Sequence, residues 1–208
     1  ELGDVLVVDV GGATTDVHSV SDGSPELASA QVDPEPRAKR TVEGDLGVYV
    51  NARNVAQASG EPDWAQRLVD LQAMPGTAAE LALTRWLTER AATVGVSRHA
   101  GRISVLYTPT GKRQVVRGKD LTAVRWVVAT GGALTQIPGT ADVLRRICGS
   151  TGGALLPGPD ARFLVDDRYL FSALGTRAAS YPQEVRASLR ALALGPATPS
   201  ADGRGEEG

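Results

Sequence analysis

Cysteine is almost absent from this chain: Cys148 stands alone among 208 residues, so an internal disulfide and a cysteine-ligated zinc site are both excluded. A reducing, cytoplasmic setting is the expectation. Aromatics make up only 4% of the residues, and Trp64, Trp86 and Trp126 are dispersed among apolar periodic positions, where core anchoring is expected rather than base stacking. Neither sign of charge dominates. The 22 Lys and Arg face 24 Asp and Glu for a net charge of -2, which leaves no electrostatic footprint for nucleic acid or an anionic membrane surface. No apolar run approaches the roughly 20 residues of a membrane helix, and the opening ELGDVLVVDVGG is acidic and strand-like, so neither signal peptide nor anchor is expected. The two histidines, His18 and His99, have no partner at metal spacing and no G-x-S-x-G elbow to serve, and both read as structural or surface residues.

What the chain does have is the composition of a soluble globular domain, 42% hydrophobic and 22% charged. Val5 to Val10 is a valine-rich buried strand ending at Gly11-Gly12; TDVHSV from Thr15 is a second, and Leu27 to Val32 a third after the Asp22-Gly23 turn. The Pro- and charge-rich DPEPRAKRTVEGDLG reads as a connection, with Arg37, Lys39 and Arg40 as a solvated basic cluster, and Leu46 to Ala58 as a helix. Trp64, Leu68 and Leu71 continue at helical spacing. Thr77-x-x-Glu80 is a capping box ahead of a long helix to about Val94. Ile103 to Tyr107 and Gln114 to Val116 flank TPTGK as a hairpin, Asp120 to Ala123 is a helical turn, and Trp126 to Ala129 is a further strand. Thr140 is the expected N-cap of a helix through Ile147. Two closing helices, Arg168 to Ser180 and Gln183 to Leu194, follow the capping pair Asp166-Asp167, and the tail 195–208 is expected to be disordered. Strands and helices in this order predict an α/β layer architecture with a helical insertion at about 45–100.

Two glycine junctions carry the chemistry. In Asp9-Val10-Gly11-Gly12-Ala13-Thr14-Thr15-Asp16 a buried strand enters a small-residue turn whose consecutive N–H groups can converge on an anion, with threonine hydroxyls as added donors. Asp9 and Asp16 beside such a cradle would repel a bare phosphate and suit a Mg²⁺ held through water. The segment lacks the lysine of a P-loop and the G-x-G-x-x-G of a dinucleotide fold. The second junction, Val128-Ala129-Thr130-Gly131-Gly132-Ala133, repeats the strand-to-double-glycine design before Ile137-Pro138-Gly139. The first junction alone is equally compatible with a purely structural turn, and the second alone reads more readily as a structural strand-to-helix turn than as a ligand site.

DVGGATTDVHSV resembles the second phosphate-binding motif of the actin, heat-shock-70 and sugar kinase superfamily, and VVATGGALTQIPG resembles its adenosine-binding motif. With AKRTVEGDLGVYVN, SRHAGRI and YTPTGKRQVVRGKDLT between them, the chain from about Val5 to Ala193 is similar to the GlmL/MutL-type accessory proteins of adenosylcobalamin-dependent glutamate mutase. The resemblance implies an RNase H-like, actin-like ATPase lobe spanning 1–194 that clamps ATP or ADP with Mg²⁺ together with a sister lobe. It places Gly11, Gly12, Ala13, Thr14 and Thr15 against the β and γ phosphates. Asp9 becomes a metal-water or water-orienting carboxylate, with Asp16 a second candidate. Gly131, Gly132 and Ala133 would approach the α-phosphate and ribose, and Glu43, Gly44 and Asp45 the sugar or base. Only one D-x-G-type phosphate loop is present, so the chain is expected to be the second lobe of a longer protein, with ATPase activity only alongside the N-terminal lobe. The implied role is an ATP-dependent reactivating chaperone for mutase subunits; a small-molecule kinase and a nucleotide-free interaction module are the competing readings.

Overall fold

The computed structural model describes residues 3–33, 35–60, 63–109, 111–139, 141–148 and 152–194. It divides into two compact units, Leu2–Tyr169 and a C-terminal part beginning at Leu170. The first is built on a five-stranded mixed sheet. Val alternation in β1, Val5–Val10, turns Leu6, Val8 and Val10 into the core and leaves Val5, Val7 and Asp9 on the opposite face. β2, Thr15–Val20, pairs antiparallel with β1, placing Asp16 opposite Asp9. α1, Pro25–Ala28, is a single turn with Pro25 at its start, where a third strand was expected over 27–32.

The strand that pairs with β2 is instead β3, Ala38–Glu43, from the segment read as a charged connection. Its alternately exposed residues make a polar sheet edge. The helix expected from Leu46 begins only at α2, Ala52–Ala58. α3, Trp64–Arg67, runs into a 3₁₀ turn, and α4, Ala78–His99, starts at the expected capping box, Thr77 and Glu80 each accepting a backbone N–H from the other's residue. α4 lies on the core face of the sheet through Leu87, Ala91, Ala92 and Val96. Burial of Leu87 and of Val96 contributes about 1.5–3 kcal/mol each. Its Gly95 brings the helix close to β2, since a Cβ there would stand 3.0 Å from Thr15 Cγ2.

The predicted hairpin is present as β4, Arg102–Thr108, and β5, Gly111–Arg117, a separate two-stranded sheet. Asp120 to Ala123 forms a turn in which Asp120 accepts from Thr122, rather than a helix. β6, Trp126–Thr130, then returns parallel to β1, followed by α5, Gly132–Thr135, and α6, Ala141–Ile147. The expected cap Thr140 lies outside the described residues. β7, Arg162–Val165, unanticipated from sequence, pairs parallel with β6 and completes the order β3-β2-β1-β6-β7. This mixed sheet with flanking helices agrees with the expected actin-like ATPase lobe. The tryptophans are less buried than expected: Trp64 and Trp86 cover the core edge beneath Arg53 and Arg67, and Trp126 carries Arg162 on its ring.

The second unit is a helical pair, α7, Leu170–Arg177, and α8, Pro182–Leu194. The expected caps at Asp166 and Asp167 precede α7 by several residues; Asp166 serves the first unit instead. The tail 195–208 lies outside the described residues.

Candidate functional site

β1, β6 and β7 are parallel, so their C-terminal ends gather at one edge of the sheet, the place where α/β sheets bind ligands. That edge carries Asp9, Thr130, which pairs with Asp9 in register, and Asp166, whose N–H donates to the Ala129 carbonyl at 2.8 Å. Thr130 Oγ1 donates to Asp166 at 3.4 Å, and Asp166 is buried. Both glycine junctions meet here. A Cβ on Gly131 would fall 2.2 Å from Asp9 Oδ1 and 2.5 Å from the Val10 carbonyl oxygen, and Gly131 has φ +83°. Glycine is therefore demanded twice at 131, by backbone conformation and by the approach of the first junction.

The β1–β2 turn is held from one side by residues 44–51. Val48 N–H donates to the Gly11 carbonyl at 3.1 Å, and Tyr49 and Val50 both donate to Gly12, at 2.9 and 2.8 Å. Asn51 Nδ2 bridges the Ala13 and Gly44 carbonyls at 2.7 and 2.8 Å. Gly47 sits so close that a Cβ would lie 2.2 Å from the Ala13 carbonyl carbon. These contacts explain why Val48 to Val50 is not helical: the N–H groups of Val48, Tyr49 and Val50 are spent on the turn. They also polarise the turn. Its carbonyls are taken, Gly11 N–H closes on the Thr14 carbonyl at 2.9 Å, and the N–H groups of Gly12, Ala13 and Thr14 have no acceptor among the described residues.

The threonines divide their work. Thr15 is fully buried and its hydroxyl donates to the Leu46 carbonyl at 2.7 Å, while Thr14 Oγ1 remains at the turn and donates to Asp16 at 3.2 Å. Asp16 Oδ1 also accepts from Arg40 Nη2 and Nε, at 2.7 and 3.2 Å. Arg40 is thus a strand residue matched to an acid, not part of a solvated connection; Lys39 likewise pairs with Glu35 and caps the His99 carbonyl. Asp9 has no such ion-pair partner among the described residues. Burial pushes its carboxyl above the ordinary value, Asp16 and Asp166 push it the same way, and His18 opposes them.

Glu43 and Asp45 are drawn together by Arg98 from the end of α4, at 2.5 and 2.9 Å, and this guanidinium holds the Asp45 carboxyl below its usual range. Gly44 has open space where a Cβ would stand. An apolar cavity of about 360 Å³ connects the two junctions, lined by Gly12, Val48 and Tyr49 on one side and Gly132, Ala133, Gln136 and Ile137 on another, with Met74, Pro75, Leu81 and Thr84 completing the wall. Cavities of about 560 Å³ elsewhere touch neither junction. Sequence reasoning missed Gly47, Tyr49, Asn51, Met74 and Asp166. Only the run VEGDLGVYVN, dense in glycine beside the first acidic pair, carried any signal for them. Among the described residues no three His, Cys, Asp or Glu side chains gather closely enough to hold a metal by themselves.

A family model described as MutL protein matches residues 1–191. The chain is also 33% identical over 201 residues to a protein named MutL from Clostridium tetanomorphum, an alignment covering 88% of this chain and 44% of that relative. The chain thus spans less than half the length of the curated relative it matches. Matched over residues 1–191 by that model and 33% identical to that relative, the chain belongs to the MutL protein family.

Proposed function

We propose that this chain is a nucleotide-binding lobe that takes ATP or ADP with Mg²⁺ and couples its binding to an accessory, reactivating action on an adenosylcobalamin-dependent mutase of the glutamate mutase type. The observation that carries the reading is the polarised β1–β2 turn: the Gly11, Gly12 and Ala13 carbonyls capped by residues 48–51, three N–H groups without an acceptor among the described residues, and an apolar cavity running from Gly12 to Gly132. Donors at one end and apolar walls at the other match a phosphate tail and a nucleoside.

In this reading Gly12, Ala13 and Thr14 donate to phosphate oxygens. Gly131 and Gly132 admit the ribose side, and Tyr49, Met74 and Ile137 flank the base. The donor set fits a cation held partly by phosphate and water: Asp9 is uncompensated, whereas Asp16 is matched by Arg40. Mg²⁺ would supply neutralisation of phosphate charge. Asp9 orients a water or a metal-bound water, and its raised pKa fits a site that waits for positive charge. The N-terminal lobe would close the opposite side of the nucleotide, because phosphoryl chemistry depends on positioning from both sides. Nucleotide-dependent action on a partner then requires different nucleotide affinity in the open and closed forms.

The test is a thermal-shift titration with Mg²⁺-ADP and Mg²⁺-ATP on the two-lobed protein, paired with rescue of inactivated mutase by the same preparation. A ligand at 100 times its Kd contributes about 2.7 kcal/mol and raises Tm by several degrees. The expected result is a rise and an ATP-dependent rescue, both lost in Gly12→Val. Absence of any nucleotide response would refute the nucleotide reading. Phosphorylation of a metabolite without mutase rescue would favour a kinase.

A further inference from the structure

The β4–β5 hairpin is the part of the fold that the nucleotide site does not use. Its base is anchored: Val115 and Val116 are buried, Val116 exchanges backbone hydrogen bonds with Ala30 and Val32 at 2.8 and 3.0 Å, and Ile103 N–H donates to the Gly153 carbonyl at 2.7 Å. Beyond that base, from Ser104 to Gln114, most side chains on both faces are exposed. Register places Val105, Tyr107, Lys112 and Gln114 on one face and Leu106 with Arg113 on the other. Val105 and Leu106 are about half exposed and Tyr107 is 73% exposed, with Lys112 Nζ 5.4 Å from the Tyr107 ring.

Charge sets this ribbon apart from the rest of the chain. Residues 101–118 contain Arg102, Lys112, Arg113 and Arg117 and no Asp or Glu, although the whole chain carries a net -2. None of those four cations is ion-paired among the described residues, whereas Arg37, Arg40, Arg98 and Arg146 all are. A two-stranded ribbon is marginal by itself, and natural folds seldom leave an apolar arm uncovered without use. The cations are interrupted on each face by valine, leucine or tyrosine, so they form no continuous row to follow a phosphate backbone. Mixed apolar and cationic character matches a protein surface whose acids ring an apolar centre.

We propose that the β4–β5 arm is the docking arm of this protein, and that it engages an acidic, apolar-centred surface of the mutase. This rests on the accessory reading above. The experiment measures binding of the two-lobed protein to purified mutase subunits, one at a time, at about 50 and 300 mM salt, where screening separates steered from unsteered association. It compares the parent with Lys112→Glu/Arg113→Glu and with Tyr107→Ser, all exposed positions whose folding is checked by unchanged Tm and unchanged Mg²⁺-ADP response.

The expected result is roughly tenfold or greater loss of affinity in the charge-reversed variant, mainly through slower association and with a flattened salt dependence. Tyr107→Ser is expected to dissociate faster. Equal binding by parent and both variants overturns the arm's role and leaves the accessory reading intact. Failure of the parent to bind any subunit overturns both. Arm-dependent binding of a short DNA or RNA duplex, with no arm effect on mutase, assigns the surface to nucleic acid and overturns the proposal.

Discussion

Substituting Gly47 by alanine tests whether residues 44–51 clamp the β1–β2 turn. The added Cβ would meet the Ala13 carbonyl carbon at 2.2 Å, its oxygen at 2.3 Å and its Cα at 2.5 Å, all backbone atoms that cannot rotate away. Ordinary carbon contacts begin near 3.5 Å, so the two segments must part by more than about 1 Å. The bonds from Val48, Tyr49 and Val50 to Gly11 and Gly12, now 3.1, 2.9 and 2.8 Å, would then stretch beyond useful length. Three such bonds at about 1 kcal/mol each amount to about 3 kcal/mol, at the upper end of the usual overpacking cost. For a domain of this size the melting temperature should fall by roughly 6–12 °C. Gly44→Ala is the control: nothing lies within 4 Å of its Cβ position, so its Tm should match or slightly exceed the parent's. Parallel circular-dichroism melts of the three proteins decide the matter. A Gly47→Ala variant melting within about 2 °C of the parent would show that the clamp is loose and that the turn's carbonyls are not committed to it.

Four further outcomes are expected. Asp9→Asn should raise Tm at neutral pH while weakening the Mg²⁺-nucleotide response, because a carboxyl whose folded pKa is raised destabilises the native state once ionised; a lower Tm in urea-free melts would refute that strain. His99 is fully buried between Thr41 and Ser19 hydroxyls, at 2.7 and 2.8 Å, and burial lowers its pKa from 6.5 to about 4. Its contribution is complete above pH 6.5 and declines as pH falls towards 4, by about 3 kcal/mol in all, so urea titrations of His99→Gln should show a shallower acid slope than the parent. Arg98→Met should cost about 1 kcal/mol or less, since Arg98 and Asp45 are 42% and 47% exposed, and the difference should shrink in high salt. Burial raises the Cys148 thiol to about 11 from 9.0, so alkylation at pH 8 should run about 100-fold slower than for an ordinary thiol and match it only after unfolding.

The asymmetry between Asp9 and Asp16 bears on how such a lobe would respond to ligand. Both stand at the end of the β1–β2 pair, yet Asp16 already has Arg40 and a Thr14 hydroxyl, while Asp9 faces burial and two more acids. A site that keeps one uncompensated carboxylate is less stable empty than filled by a cation, which is the form of a binding-coupled switch.

The sequence by itself determined the local pieces. The valine alternation of β1, the Thr77–Glu80 capping box and the TPTGK hairpin are each set by residues close together in the chain, so their signals are local. The two motifs that mark the site were legible for the same reason. Tertiary structure decided what depends on partners far along the chain. Ala38–Glu43 is polar and follows prolines, and it is a strand only because β2 offers an edge and Asp16 receives Arg40. Leu46 to Val50 carries helix-compatible residues, but the N–H groups of Val48, Tyr49 and Val50 find the carbonyls of Gly11 and Gly12 and never close a helical turn. Asp166 reads as a helix cap until β7 sets it beside Thr130 and Asp9. Hydrogen bonds and charges joined across 24 to 157 residues leave no periodicity in the sequence, so only the folded chain reveals which of the competing local preferences prevails.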